Sequence, residues 1–425
     1  MDRPVMRRVL ALNAGLRRFV VARALSRAGD AVFPIGLAAA MVEQSFGVAD
    51  VGFVMGASLA PVVLLMPIGG VVLDHFNARI PMVAADTVRT VLQGLLAFSL
   101  LAGRPPLWFI LMLSLASGAT QAFYQPGVAG ILRQLAPERL REANATIRTL
   151  ESVVSLTAPA LAGVVIAMSD AALVIALDAC TFAASAWLLA GIRLGGVTPV
   201  TAPPKVWREL REGWQEFTAR PWLWSVVSVF SLFGLVVFGP FDVLKAVLLI
   251  DRFGASSYAW LMSAFSLGAV LGGLIALWTT PGRPLRAGLL ALLGFAPLPV
   301  VISLDLPVLL VAVAMVTGGA ANAYWAVAWA TSVQSHAPPH ALSRIHAYDV
   351  IGSIGLMPAG RALTGVATAW TSAAAVLFTS SAALLVGCAA LLLMPAVRRL
   401  PATRPPQEPK TPAGQAPDTR HARDH

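Results

Sequence analysis

The chain has 425 residues, of which 57% are hydrophobic and only 12% charged, with a mean hydropathy of +0.74. Soluble proteins carry roughly 25% charged residues, so a soluble multidomain organisation is excluded and a bilayer is the solvent that such a surface fits. The net charge of +10 falls in short bursts between apolar stretches and not on a continuous basic face, which excludes a nucleic-acid partner.

At the N-terminal end, Arg3, Arg7, Arg8, Arg17 and Arg18 precede an apolar stretch that Arg23, Arg27 and Asp30 interrupt. That interruption argues against a signal peptide and for a retained first helix. Apolar stretches then predict helices over 19–43, 50–73, 81–102, 106–126, 144–168 and 171–192. A polar segment follows, and a second set runs over 222–249, 257–279, 284–303, 306–329, 345–368 and 372–395. Each is close to the ~20 residues that a bilayer crossing needs. Only helices are meant, because backbone polar groups in lipid must be satisfied within the segment. The expected fold class is all-α integral membrane, with twelve transmembrane helices in two six-helix bundles. The first bundle is expected over 1–193 and the second over 222–395. Between them, 194–221 holds a Pro-rich linker, VTPVTAPP, and an amphipathic interfacial helix, WRELREGWQEF. The stretch 396–425 is too poor in apolar residues to fold and is expected to be a disordered basic tail.

Loop charges set the orientation. Arg79, Arg133, Arg139, Arg141, Lys205, Arg208, Arg211, Arg283, Arg286 and Arg344 fall on the side of the two ends. The opposite loops hold Arg104 and Arg252 together with Glu43, Asp50, Asp170, Asp251 and Asp305. Both termini are therefore expected in the cytoplasm, with the chain multi-pass in the inner (plasma) membrane. Gln134, Ala136, Pro137 and Leu140 are echoed by Gln334, Ala337, Pro338 and Leu342 at the equivalent loop of the second set, as a duplicated fold requires.

Ionisable residues inside spanning helices are costly, about 2.5–3.5 kcal/mol each at a helix centre, and so mark function. Arg27 and Asp30 lie in the first helix, Arg148 and Glu151 in the fifth, Asp242 and Lys245 in the seventh, and Asp349 and Arg361 in the eleventh. The first three pairs are three residues apart and share a helix face. Asp242 and Lys245 read as a structural pair near the outer helix end, and Asp178 as a packing polar residue. Cys180 and Cys388 lie in apolar runs without metal-ligand spacing, and no cofactor or metal motif is present.

Between the second and third helices the chain reads GGVVLDHFNAR, and Gly70, Asp74 and Arg79 resemble the signature loop of the major facilitator superfamily. His75 and Asn77-Ala78 depart from that pattern. The first-helix segment RALSRAGD, with Arg23, Ser26, Gly29 and Asp30, resembles a branch that includes the enterobactin exporter. So do the segments 43–70 and 143–163 and the run from Asp178 to Phe182. The resemblance implies a cytoplasmic latch at Gly70, Asp74 and Arg79, the alternative being a solvated turn. It implies an antiporter-like kink at Pro159 and Gly163, where Ala158 and Ala162 replace glycines. It also implies a seam between the bundles, to which the pairs Gly52/Gly56 and Gly268/Gly272 would contribute close packing. The first, fourth, seventh and tenth helices would line the substrate cavity, with Phe33, Gln121, Tyr124, Phe230, Phe233, Asn322 and Trp325 as candidates.

The function expected is secondary active transport: a proton-coupled exporter of a small apolar or amphipathic solute working by alternating access. No G-x-x-x-x-G-K-[ST] loop supplies ATP energy. The competing readings are a passive or importing facilitator and a membrane enzyme such as an acyl or glycosyl transferase. Against the enzyme stands the absence of an H-E-x-x-H pattern among His75, His336, His340, His346, His421 and His425. The expected partners are a small-molecule solute, protons and the lipid bilayer, with the chain monomeric. Asp30, with Arg27 beside it, is the first candidate for proton coupling, and Glu151 with Arg148 the second. Reporter fusions test the topology: those after Gly195 and after Pro401 are expected to report the cytoplasm and one at Gly47 the outside, and an outside signal at Gly195 would end the six-plus-six reading.

Overall fold

A computed structural model describes residues 14–75, 79–192, 206–338 and 342–402. The Pro-rich linker, residues 403–425 of the expected tail, and Asn77 and Ala78 of the latch loop lie outside the described residues. The start of that tail is ordered and not, as expected, disordered, with a helical turn at Pro395–Arg398 that buries Val397. Everything described is helix or short connection, without a strand. The first six helices are α1 (Ala14–Glu43), α2 (Val48–His75), α3 (Arg79–Ala102), α4 (Leu107–Leu135), α5 (Leu140–Met168) and α6 (Ala171–Ala190). The short α7 (Val206–Thr218) follows, and then α8 (Pro221–Phe253), α9 (Ala255–Trp278), α10 (Pro284–Ser303), α11 (Val308–His336), α12 (Ile345–Trp370) and α13 (Ala373–Leu393). Among the described residues, eleven helices are long and apolar enough to cross a membrane, and Leu107–Ala122 of α4 is a shorter apolar stretch in the remaining position.

Helix ends follow local chemistry. The Asp170 carboxylate accepts from the Ala172 N–H at 2.7 Å and starts α6. At the other end of α6, Arg18 donates to the Gly191 carbonyl at 2.7 Å and Arg79 to the Ile192 carbonyl at 2.5 Å. Two guanidiniums thus meet the negative end of one helix dipole. The amphipathic α7 lays Trp214 and Phe217 against Tyr348 of α12, with ring centroids 5.5 and 5.9 Å apart.

Within α1–α6, α1 and α3 pack on α6 and α2 packs on α4; within α8–α13, α9 and α10 pack on α11. The sets meet chiefly through α2 with α12 and α5 with α9, and α8 also touches α1 and α2. Without a hydrophobic drive between helices in lipid, close backbone approach supplies the attraction, and small residues permit it. A Cβ at Gly118 would lie 2.1 Å from the Ser58 carbonyl oxygen, one at Gly268 2.0 Å from that of Val316, and one at Gly272 2.1 Å from that of Ala320. Gly268 and Gly272 therefore serve α9 on α11, inside the second set, and not the seam between the sets expected of them. Gly52 and Gly56 do lie between the sets, where a Cβ would come within 2.5 Å of the Arg361 and 2.8 Å of the Pro358 carbonyl oxygen of α12. Gly268→Val should lower the thermal unfolding midpoint in detergent, by an overpacking cost of about 1–3 kcal/mol. Gly273→Val, at a position with open space, should not; equal midpoints for the two variants would refute this packing.

Candidate functional site

The α1 sequence sets Arg23, Arg27, Asp30 and Pro34 along one face, at helical spacings of four, three and four. Pro34 cannot donate to the carbonyl of residue 30, so the α1 ladder is interrupted at Asp30 itself. The Asp30 carboxylate takes Arg27 at 3.3 Å and Arg89 of α3 at 3.2 Å. Arg89 is 3% exposed, donates through Nε to Thr120 of α4 at 2.9 Å, and stands 4.9 Å from the Phe182 ring centroid of α6. One guanidinium therefore ties four helices. Asp86, one turn before it, accepts from the Ser185 hydroxyl at 2.6 Å. Arg23 pairs with Glu151 of α5 at 2.8 Å and lies 5.4 Å from the Tyr124 ring centroid, while the exposed Arg148 reaches Glu151 only at 3.6 Å.

A second cluster faces it from α8 and α12. Asp242 takes Lys245 at 3.1 Å and Arg361 at 2.7 Å, and Arg361 also donates to the Met55 carbonyl of α2 at 3.1 Å. A π-helical turn, Gly234–Phe238, interrupts α8 just before this cluster, a distortion that recurs at functional sites. Pro240 removes the N–H that an α-helix would aim at the Val236 carbonyl, and Ser380 of α13 donates to that carbonyl at 2.7 Å instead. Gly360 makes room for the turn: a Cβ there would lie 2.5 Å from the Gly234 carbonyl oxygen.

Between the clusters lies a cavity of about 310 Å³, at the lower end of the roughly 300–1,000 Å³ of small-molecule sites. Asp30 and Arg89 stand on one wall and Asp242, Lys245 and Arg361 on the other, with Phe33, Met55, Phe182, Tyr258 and Met262 between. Asp242 and Lys245 are thus cavity residues and not an outer structural pair. Of the residues expected to line a cavity, Phe33 and Gln121 do so. Tyr124 is buried beneath Arg23 and Arg89. Phe230, Phe233 and Trp325 belong instead to an aromatic stack between α8 and α11, with Phe230 on Trp325 at 4.9 Å and Trp325 on Trp329 at 5.9 Å. Asn322 is half-buried on α11, away from the lining.

Asp349 of α12 is held by the Trp329 indole at 3.1 Å and Ser353 at 3.2 Å, a packing role. At the kink of α5, Pro159 is buried, and the Gly163 carbonyl accepts from Ser256 of α9 at 2.9 Å, which joins the two sets there. Arg79 caps α6, whereas the surroundings of Gly70 and Asp74 lie outside the described residues. The sequence reading missed Asp86 and Arg89. Their spacing of three inside an apolar helix is the same signal that marked Arg27 and Asp30. Asp242→Asn leaves Lys245 and Arg361 without a counter-charge and should cost about 3–5 kcal/mol in thermal stability. Arg361→Gln, which leaves the Asp242–Lys245 pair intact, should cost less; the reverse order would contradict the pairing.

The Major Facilitator Superfamily model matches residues 19–355. An uncharacterised MFS-type transporter of Sinorhizobium fredii, y4rN, is 24% identical over 385 residues, which cover 86% of this chain and 91% of that protein. The uncharacterised MFS-type transporter YvqJ of Bacillus subtilis is 22% identical over 343 residues, 77% of this chain and 79% of the relative. Macrolide efflux protein A of Streptococcus pyogenes is 21% identical over 220 residues, 51% of this chain and 54% of that protein. Among solved structures, the nucleoside transporter NupG superposes with a TM-score of 0.71 at 12% identity, covering 89% of this chain and 98% of that one. A bacterial homologue of the iron transporter ferroportin, in an inward-facing state, gives 0.69 at 15% identity, with 88% and 97% covered. These two likenesses establish the fold.

Proposed function

We propose, because the chain belongs to the Major Facilitator Superfamily and is a multi-pass integral membrane protein, that it is a proton-coupled exporter of a small amphipathic solute. In this reading it is monomeric, lies in the plasma membrane with both termini cytoplasmic, and sits in the branch that includes the enterobactin exporter. The efflux proteins among its relatives support the direction. The observation that carries the proposal is the cavity itself, with one cluster of ion pairs on the wall from α1–α6 and another on the wall from α8–α13. Charges on both walls are paired among themselves, which leaves Phe33, Met55, Phe182 and Met262 as the apolar surface a solute would meet.

Alternating access requires one set of helices to rock on the other around a fixed site. The contacts of α2 with α12 suit such a motion, because Gly52 and Gly56 present backbone and not interlocking side chains. Asp30 is the coupling residue of this proposal. A proton on its carboxylate cancels the charge that Arg27 and Arg89 share, and Arg89 keeps Thr120 as acceptor while its hold on α1 is released. Glu151, fastened by Arg23, serves as a standing tie between α1 and α5.

The test is transport in proteoliposomes loaded with candidate solutes. Asp30→Asn should abolish accumulation driven by a proton gradient while solute exchange between equal pools continues. Undiminished, pH-dependent accumulation in that variant would transfer the coupling role to Glu151. Exchange without gradient-driven accumulation in the wild type would make the chain a passive facilitator.

A further inference from the structure

A second concavity opens on the membrane-facing side, between α1, α5 and α6. It measures about 380 Å³, and its wall is apolar: Ala28 and Val32 of α1, Leu161 and Val165 of α5, and Leu177 of α6. The one acidic or basic residue of its lining is Asp178, which is 0% exposed and whose two carboxylate oxygens have no hydrogen-bond partner among the described residues. Thr181, also in the lining, spends its hydroxyl on the Asp178 backbone carbonyl at 2.8 Å. The carboxylate is wedged between α6 and α1 because position 29 is glycine: a Cβ there would lie 2.2 Å from Asp178 Oδ1. The ionisable groups whose fields reach Asp178 are Asp30, Asp86 and Arg89, and Arg89 is already engaged by Asp30. The surroundings are acidic.

The geometry points to a membrane-facing binding site for a lipophilic amine, whose apolar body fills the groove and whose ammonium donates to Asp178. A buried polar group without partners is costly in an apolar setting, and a cationic donor is the ligand that supplies both missing charge and missing hydrogen bonds. A neutral acyl chain would fill the same walls and leave both oxygens unmet. The site is distinct from the central cavity, which α1 separates from it: Ala28 and Val32 face the groove, whereas Ala31 and Phe33 face the cavity. A solute dissolved in the bilayer would thus reach Asp178 without passing through water.

Scintillation-proximity binding of tritiated decylamine to the full chain in nanodiscs, with empty nanodiscs subtracted, tests the assignment. Saturable binding is expected, competed by unlabelled decylamine and about ten-fold less well by 1-decanol, which has the chain without the charge. Asp178→Asn should weaken binding about ten-fold or more, and Ala28→Phe, which fills the groove and touches no charge, should do the same. Leu59→Trp, which narrows the central cavity at a lining residue outside its ion pairs, should leave the affinity unchanged. Equal competition by decanol, or wild-type affinity in Asp178→Asn, overturns the proposal. If Asp178→Asn does not fold, wild-type affinity in Ala28→Phe overturns it alone. Loss of binding in Leu59→Trp but not in Ala28→Phe would put the amine in the central cavity, and would equally overturn it.

Discussion

The pairing of Asp30 with Arg89 is the interaction that ties together four of the first six helices. A guanidinium that is 3% exposed inside an apolar bundle is tolerable only with its charge and donors met. Asp30 meets the charge, and Thr120 and the Phe182 face take up the rest of the group. Meeting them draws α1, α3, α4 and α6 to one point. Because the polar partners come from different helices, a shift of any one leaves a charge unmet in a low-dielectric interior. Such a cluster has discrete arrangements and not a continuum, which is the property a two-state carrier needs.

The cluster around Asp242 is built by different means. There the backbone is adjusted first: a π-helical turn and Pro240 displace the α8 ladder, Gly360 yields space for it, and Ser380 takes over the exposed carbonyl. Only then do Asp242 and Lys245 face Arg361 across the helix gap. Arg361 also holds a carbonyl of α2, so the cluster joins the two helix sets as well as lining the cavity. In the proposed mechanism, a charge that lines the cavity and also bridges the two helix sets would link occupancy to conformation without a relay between distant sites.

Close backbone packing has two uses in this chain. Gly268 and Gly272 lock α9 to α11 within one set, whereas Gly52 and Gly56 let α12 lie against α2 between the sets. The motif is the same in both places, two glycines four apart. What separates a contact within one set from a contact between sets is the neighbouring helix, and spacing along one chain segment carries no record of it.

Helix number, the membrane as solvent and the superfamily were legible in the sequence, because each depends on composition and on spacing along a single helix. Helix limits were less so, since α4 runs on to Leu135 and α11 to His336, past the expected ends at 126 and 329. A run of apolar residues must be helical in lipid whatever it packs against, and the pairs Arg27–Asp30 and Asp242–Lys245 are three residues apart in any helix. Partners on other helices were not legible. Arg89 for Asp30, Arg23 for Glu151 and Arg361 for Asp242 lie 59, 128 and 119 residues away, and no local rule selects them. The same limit placed Phe230, Phe233 and Trp325 on an expected cavity wall when they stack on one another. A helix shows its spacing in sequence, but which face meets water, lipid or another helix is a property of the bundle, and the tertiary structure alone decided it.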